Sequence, residues 1–335
     1  MIKELLFNTC AALGTHQALL RLTRSKLLIV MYHGVINEPL PLPCWWQLSY
    51  DQFFWQIKYL NKNYAVLPLQ EVVHKLRTGE KLPDNTAVIT FDDGFENNYT
   101  LAYPLLKAMN IPAVVYVVTD FIGTKKLLWL DELFMLFLET TQNSIDLKDF
   151  GLRLFNIASI KNKQHSLYRI CEHLKKIPPD QKDTLLQHIR LHLNKKKETS
   201  DYAKHFKLLS WEQIGEMKRN SMIDFGAHSC THEILSQLNE DQLIHEIKDS
   251  CHKINPGAPA LFAYPNGRRQ DFNTRAKIIL KNSNVVCAVS TISGLNSAND
   301  DLLELKRISI GNDTTRARFK LLCSGFIDAM KVPLH

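Results

Sequence analysis

The seven cysteines, Cys10, Cys44, Cys171, Cys230, Cys251, Cys287 and Cys323, contain no C-x-x-C pair, and their number is odd. That argues against a disulfide framework and favours a reducing compartment. No tract of low complexity and no repeat of fixed period occurs, which excludes solenoid architectures and disorder on the scale of a domain. A convincing secretory signal is also missing. Lys3 is followed at once by Glu4, and the early apolar stretch is broken by Asn8, Thr9 and His16, too short to span a bilayer. The expectation is a cytoplasmic location, or a peripheral one at the inner membrane.

What is present reads as a soluble globular chain. Its 335 residues are 45% hydrophobic and 22% charged, enough for one large α/β domain with an insertion. The formal charge of +7 is unevenly placed: residues 156–206 hold eleven Lys or Arg against five Asp or Glu. Those charges, Lys195, Lys196 and Lys197 among them, are spread around helical segments rather than gathered on one aromatic-bearing face, so no nucleic-acid partner is expected. They read as a solvated surface, with an anionic polymer or a membrane surface as the functional alternative. Residues 1–26, with Leu5, Leu6, Ala12, Leu19, Leu20 and Leu22 beside Arg21 and Arg24, predict an amphipathic helix. Packing on its own domain is favoured over peripheral membrane contact.

Leu27 to Tyr32 (LLIVMY), Thr86 to Phe91 (TAVITF) and Ala113 to Val118 (AVVYVV) are apolar runs that predict buried strands. After a break come strand patterns at Ile223–Ala227, Ala260–Tyr264, Val285–Val289 and Leu305–Ile310, alternating with helical ones. Ser210-Trp-Glu-Gln213 is a capping box that marks a helix start. The β-then-α order favours a parallel sheet or barrel, whose catalytic groups sit at the C-terminal ends of strands. The break, residues 125–208, is helix-rich and basic with no convincing strand. It predicts an insertion that covers or flanks the site, or a purely structural cap.

Three polar clusters stand at strand ends. In Thr90-Phe-Asp-Asp-Gly94 the acidic pair followed by Gly makes a good turn. Two adjacent carboxylates facing one site repel each other, unless a divalent cation takes one and the other stays a base. A glycosidase would instead need its carboxyls on opposite sides of the bond at ~5 Å or more. His228-Ser-Cys-Thr-His232 adds two imidazoles, which with Asp93 complete a His-His-Asp set that leaves metal positions open. Phe262-Ala-Tyr-Pro-Asn-Gly267 offers a rigid turn able to aim a backbone N–H at a developing oxyanion.

In order and distance, Thr90–Gly94, His228–His232 and Tyr264–Gly267 resemble the first three motifs of the polysaccharide deacetylases, carbohydrate esterase family 4. Met31-Tyr-His-Gly-Val35 and Leu127-Leu-Trp-Leu-Asp131 are also similar to members of that group. The resemblance covers about residues 27–125 and 208–325. It implies a distorted (β/α) barrel over residues 27–124 and 209–325, with 125–208 as a basic helical insertion. It implies hydrolysis of N-acetyl groups from an amino-sugar glycan of the bacterial envelope or its precursor. Asp92 would be the general base, and Asp93, His228 and His232 the ligands of a divalent metal, zinc first. Asn266, after Pro265, would offer its N–H to the oxyanion, and Tyr264 would shape the acyl pocket.

The chain also departs from the pattern. Ala263 stands where many members carry the arginine that organises the base, and no Asp-Trp pattern is evident near Ser290-Thr291. Leu305-Lys-Arg307 replaces the usual Leu-x-His. The partner of Asp92 is thus open, and either another histidine must donate the proton, with His33 at the end of the first strand as the best candidate, or metal-bound water must do both jobs. Two other readings share part of this pattern. A non-haem iron oxygenase also uses two His and a carboxylate, but its usual His-x-Asp pairing is missing and the second Asp would have no task. The other is a barrel that only binds glycans, against which the intact Asp and His pairs stand.

Overall fold

The computed structural model describes residues 2–193 and 201–330. Strands β1 (Leu28–Tyr32), β2 (Thr86–Phe91), β3 (Ala113–Val117), β4 (Ile223–Ala227), β5 (Ala260–Ala263) and β6 (Val285–Val289) lie side by side in chain order. All are parallel, and β7 (Ile308–Ser309) pairs with the free side of β1. The segment ahead of β7 joins the two edges. Its Leu305 N–H donates to Ala288 on β6, and the Ser290 N–H donates back to Leu305 at 2.8 Å. The result is a distorted barrel wrapped by helices. A two-residue strand, Ala65–Val66, branches off the start of β2.

Alternation along each strand decides what faces inward. Ile29, Val88, Val114, Tyr116, Leu261, Ala263, Cys287 and Val289 pack together in the barrel interior. Their neighbours Leu28, Val30, Ala87, Ile89, Val115 and Val117 pack outward under the helices. Both faces are dry, which is why these strands read as unbroken apolar runs. Each fully buried Val, Leu or Ile there is worth about 1.5–3 kcal/mol. Gly226 on β4 leaves room for the Tyr116 ring to cross the interior, since a Cβ would come within 2.5 Å of it.

Two expectations change. The N-terminal segment is two helices, Ile2–Ala12 and Thr15–Leu22, because Gly14 turns left-handed at φ 72° between them. Phe7 of the first packs against Phe326 and Leu321, so this segment rests on the barrel's C-terminal helices. Residues 125–208, expected to lack strands, carry a short antiparallel ladder, Ser144–Asp146 with Leu154–Asn156, ahead of the helices Ile160–Leu174 and Pro179–Leu193. Its inward residues Ile145 and Phe155 are buried while the others are exposed; three-residue strands are too short to leave a periodic signal. Lys195, Lys196 and Lys197 lie outside the described residues. Among the described residues no helix is long and apolar enough to cross a membrane.

Candidate active site

The alternation that builds the barrel also aims the acidic pair. Asp92 continues the inward series of Val88 and Thr90, and it is 2% exposed. Asp93 follows with φ 72°, a left-handed turn that Asp tolerates better than most residues. Gly94 must be glycine, because at φ 79° a Cβ would also stand 2.7 Å from Val117. His228 leaves β4 inward in the same way. His232 returns to the same centre through a loop in which Ser229 and His232 both have φ 65°.

Asp93, His228 and His232 present ligand atoms that all lie within 4.8 Å of one another. The Nε2 atoms of His228 and His232 stand 3.6 and 3.4 Å from Asp93 Oδ1, which has no hydrogen-bond partner. His228 Nδ1 meets the Ala263 carbonyl at 2.7 Å and must be the protonated nitrogen there, leaving the Nε2 lone pair free. Burial pushes Asp93 well above the usual carboxylate range, and Asp131 and Asp92 push it further. Burial also lowers His228, and lowers His232 well below the ordinary histidine value. A buried carboxylate with an unpartnered oxygen and two neutral imidazoles form a set that a divalent cation completes. Protons compete with a metal for this set first at Asp93, whose carboxyl is held high, and then at the two imidazoles, which are held low. A metal held there is expected to be lost as pH falls from 7 to 4; metal content across that range checks this, and full retention at pH 4 would refute it.

Arg307, fully buried on the closing segment, grips both carboxylate oxygens of Asp92 at 2.7 and 2.6 Å. Its Nε donates to the Ser290 carbonyl at 2.8 Å, its Nη1 reaches Thr90 Oγ1 at 3.2 Å, and its guanidinium lies over the Tyr116 ring. Burial alone would raise Asp92, but Arg307 and then His228 outweigh it and hold the carboxyl at about 2. Arg307 thus serves where the third motif lacks its arginine at Ala263. The signal in the sequence was a charged residue inside an apolar strand pattern.

His33 lies on the wall of the same cavity, edge-on to Trp45 at 5.3 Å. Burial brings it down to about 4, against the pull of Asp92, so the imidazole is neutral at rest, and its Nδ1 has no partner. Asn266, at φ 56°, also lines the cavity. Its side chain bonds Asp271, and its carbonyl accepts from Thr291 Oγ1 at 2.8 Å. Its own N–H meets no acceptor among the described residues. Tyr264 is not brought to the cavity. It shares the outward parity of Ala260 and Phe262, stacks on Phe272 at 4.0 Å and donates to the Leu303 carbonyl. Pro265 is buried behind the same turn.

Residues that carry no motif hold the His228–His232 loop. The buried Glu246 accepts from the N–H groups of Cys230 and Thr231 at 2.8 and 2.9 Å and from the Thr231 hydroxyl at 2.6 Å. Lys182, 6% exposed on the helix Pro179–Leu193, pairs with Glu233 beside His232. The insertion therefore braces the loop that carries His232.

The profile of the family described as polysaccharide deacetylase matches residues 79–285, well over half of the chain. The chain belongs to the polysaccharide deacetylase family. That family's members are hydrolases of the amide bond in N-acetyl groups. Among relatives, the poly-beta-1,6-N-acetyl-D-glucosamine N-deacetylase of Staphylococcus aureus (strain MSSA476) is 38% identical over 79 residues, 23% of this chain and 27% of that one. The enzyme of the same name from Escherichia coli (strain K12) is 35% identical over 75 residues, 22% of this chain and 11% of that one. The matches span between 11% and 35% of the length of such curated relatives. In fold, the chain is similar to the Streptococcus pyogenes deacetylase PplD, solved in complex with acetate. The TM-score is 0.54 at 21% identity, covering 88% of this chain and 96% of that one.

Proposed function

We propose that this protein hydrolyses the N-acetyl groups of an amino-sugar glycan, using a divalent metal held by Asp93, His228 and His232. The observation that carries the proposal is the pairing of two differently treated carboxylates. Asp92 is neutralised by Arg307 and stays ionised, while Asp93 lies beside it without a cation of its own. The names of the Staphylococcus aureus and Escherichia coli relatives favour a β-1,6-linked N-acetylglucosamine polymer.

A metal on this donor set, zinc by its nitrogen and oxygen ligands, supplies Lewis-acid polarisation of the acetamide carbonyl and lowers the pKa of a water. Asp92, clamped in one orientation, accepts the proton of the attacking water. The Asn266 N–H donates to the carbonyl oxygen as charge develops on it, a contribution worth about 2.7–4 kcal/mol where one such donor has been removed elsewhere. His33, neutral at rest, takes up the proton and delivers it to the amine nitrogen as the C–N bond breaks, releasing acetate. This role refines the expectation of a resting acid: a histidine near 4 cannot hold its proton at pH 7 and must receive it within the cycle.

The test is acetate release from a β-1,6-linked N-acetylglucosamine oligomer by the purified protein, before and after chelation and metal repletion. Asp92→Asn is expected to keep its metal and lose ~10²–10⁴ in turnover, the range of general-base catalysis. His33→Ala should lower kcat with metal content unchanged. Because the wild-type His33 is neutral at neutral pH, its loss should not move the alkaline limb of the pH profile. Near-normal turnover in Asp92→Asn would make that carboxylate structural, and oligomer binding without acetate release would favour a purely glycan-binding barrel.

A further inference from the structure

The cavity around Asp92 and Asp93 is about 1070 Å³ and does not end at the catalytic groups. That is at the top of the ~300–1,000 Å³ range of small-ligand sites, more room than one acetamido sugar needs. On one side it runs under the helix Ile160–Leu174 of the insertion, which contributes Tyr168 and Glu172 to the wall, with Lys175 just past its end; Trp45 and Trp129 line it as well. Tyr168 is 62% exposed and Trp45 48% exposed. Large rings left open on the wall of a polar cavity call for a ligand with a flat apolar face.

The polar edge beside Tyr168 is pre-set. Arg268, two residues beyond Asn266, forks onto Glu172 at 2.8 and 2.9 Å, and Lys175 reaches the same carboxylate at 3.3 Å. The Arg268 and Lys175 pairings hold Glu172 at about 2, so it is an acceptor across the working range. Gln237 ties the Lys175 carbonyl to the barrel at 2.6 Å. The insertion is thus fastened to the oxyanion turn on one side and, through Lys182 and Glu233, to the His232 loop on the other.

A pyranose ring has the matching chemistry: a face of axial C–H groups and an edge of hydroxyls. We infer that Tyr168, edged by Glu172 and Arg268, forms a subsite for the sugar adjoining the one whose acetamide is cleaved. This inference rests on the glycan reading above. The insertion is then the element that makes the site prefer a chain over a single sugar.

The experiment uses a β-1,6-linked N-acetylglucosamine tetramer and the N-acetylglucosamine monosaccharide. Tyr168→Ala is expected to raise KM for the tetramer about tenfold, the scale of one lost aromatic contact, with kcat within about twofold. Monosaccharide kinetics should be unchanged, and Tyr168→Phe should restore the tetramer KM, because the ring and not the hydroxyl does the stacking. Equal effects on both sugars, or no effect on the tetramer, would overturn the subsite. Calorimetric titration of the tetramer into Asp92→Asn and Asp92→Asn/Tyr168→Ala separates binding from chemistry. A tenfold affinity difference there supports the subsite even if wild type releases no acetate, a result that would defeat the catalytic reading alone. Equal affinities, or no binding by either variant, would overturn the subsite whatever the turnover.

Discussion

Arg307→Met is expected to destabilise the protein by about 3–5 kcal/mol, the cost of removing one partner from a buried ion pair, and to abolish most turnover. The Asp92 carboxylate would remain at 2% exposure, beside Asp93, with no cation to balance it. Its proton affinity would rise, and it would cease to be ionised where the reaction needs a base. Arg307→Lys keeps the charge but not the fork, and its planar contact over Tyr116 is lost. It should recover part of the stability and little of the turnover. The decisive comparison is the Arg307→Met/Asp92→Leu double variant, which leaves no buried charge unpaired. Its stability should return to within about 1–2 kcal/mol of wild type while activity stays absent. Urea unfolding and acetate release measured on all four proteins check this. A single Arg307→Met variant as stable and active as wild type would show that the clamp is dispensable.

The second large effect concerns the ligand set. Asp93→Ala and His228→Ala are each expected to remove bound divalent metal and all measurable turnover, since either change leaves two of the three clustered donors. Stability should respond in opposite directions for the metal-free and metal-bound proteins. Without metal, Asp93 is a buried carboxylate repelled by Asp131 and Asp92, so Asp93→Ala should be neutral or stabilising. With metal present, wild type gains the binding free energy that the variant cannot. Elemental analysis with thermal unfolding, each with and without zinc, reads both quantities. Full metal occupancy in both variants would place the ion elsewhere.

Much of this was legible in the residues. The apolar runs ending at His33 and Asp92 announced buried parallel strands, because a strand covered on both faces is largely apolar along its length. Local chemistry was equally direct: Ser210 and Gln213 form the reciprocal capping box that their spacing predicts. Other features were hidden. Tyr264 sits one residue from the inward-facing Ala263, and only the pleat shows that its ring turns outward to Phe272. Glu246 and Lys182 carry no motif, since their partners are backbone groups and side chains distant in sequence.

The Asp92–Arg307 pair marks the boundary between the two. The sequence by itself determined the barrel strands, their order along the chain and the three clusters at their ends, since periodicity, turn residues and capping act over a few positions. It left Asp92 without a counter-charge, because the two residues lie 215 positions apart and nothing local ties them. Only closure of the barrel brings the segment before β7 against β6 and turns its one inward arginine onto the carboxylate. A buried charge must find its partner within a few ångströms in space, whatever the distance along the chain. Tertiary structure alone decides which residue that is.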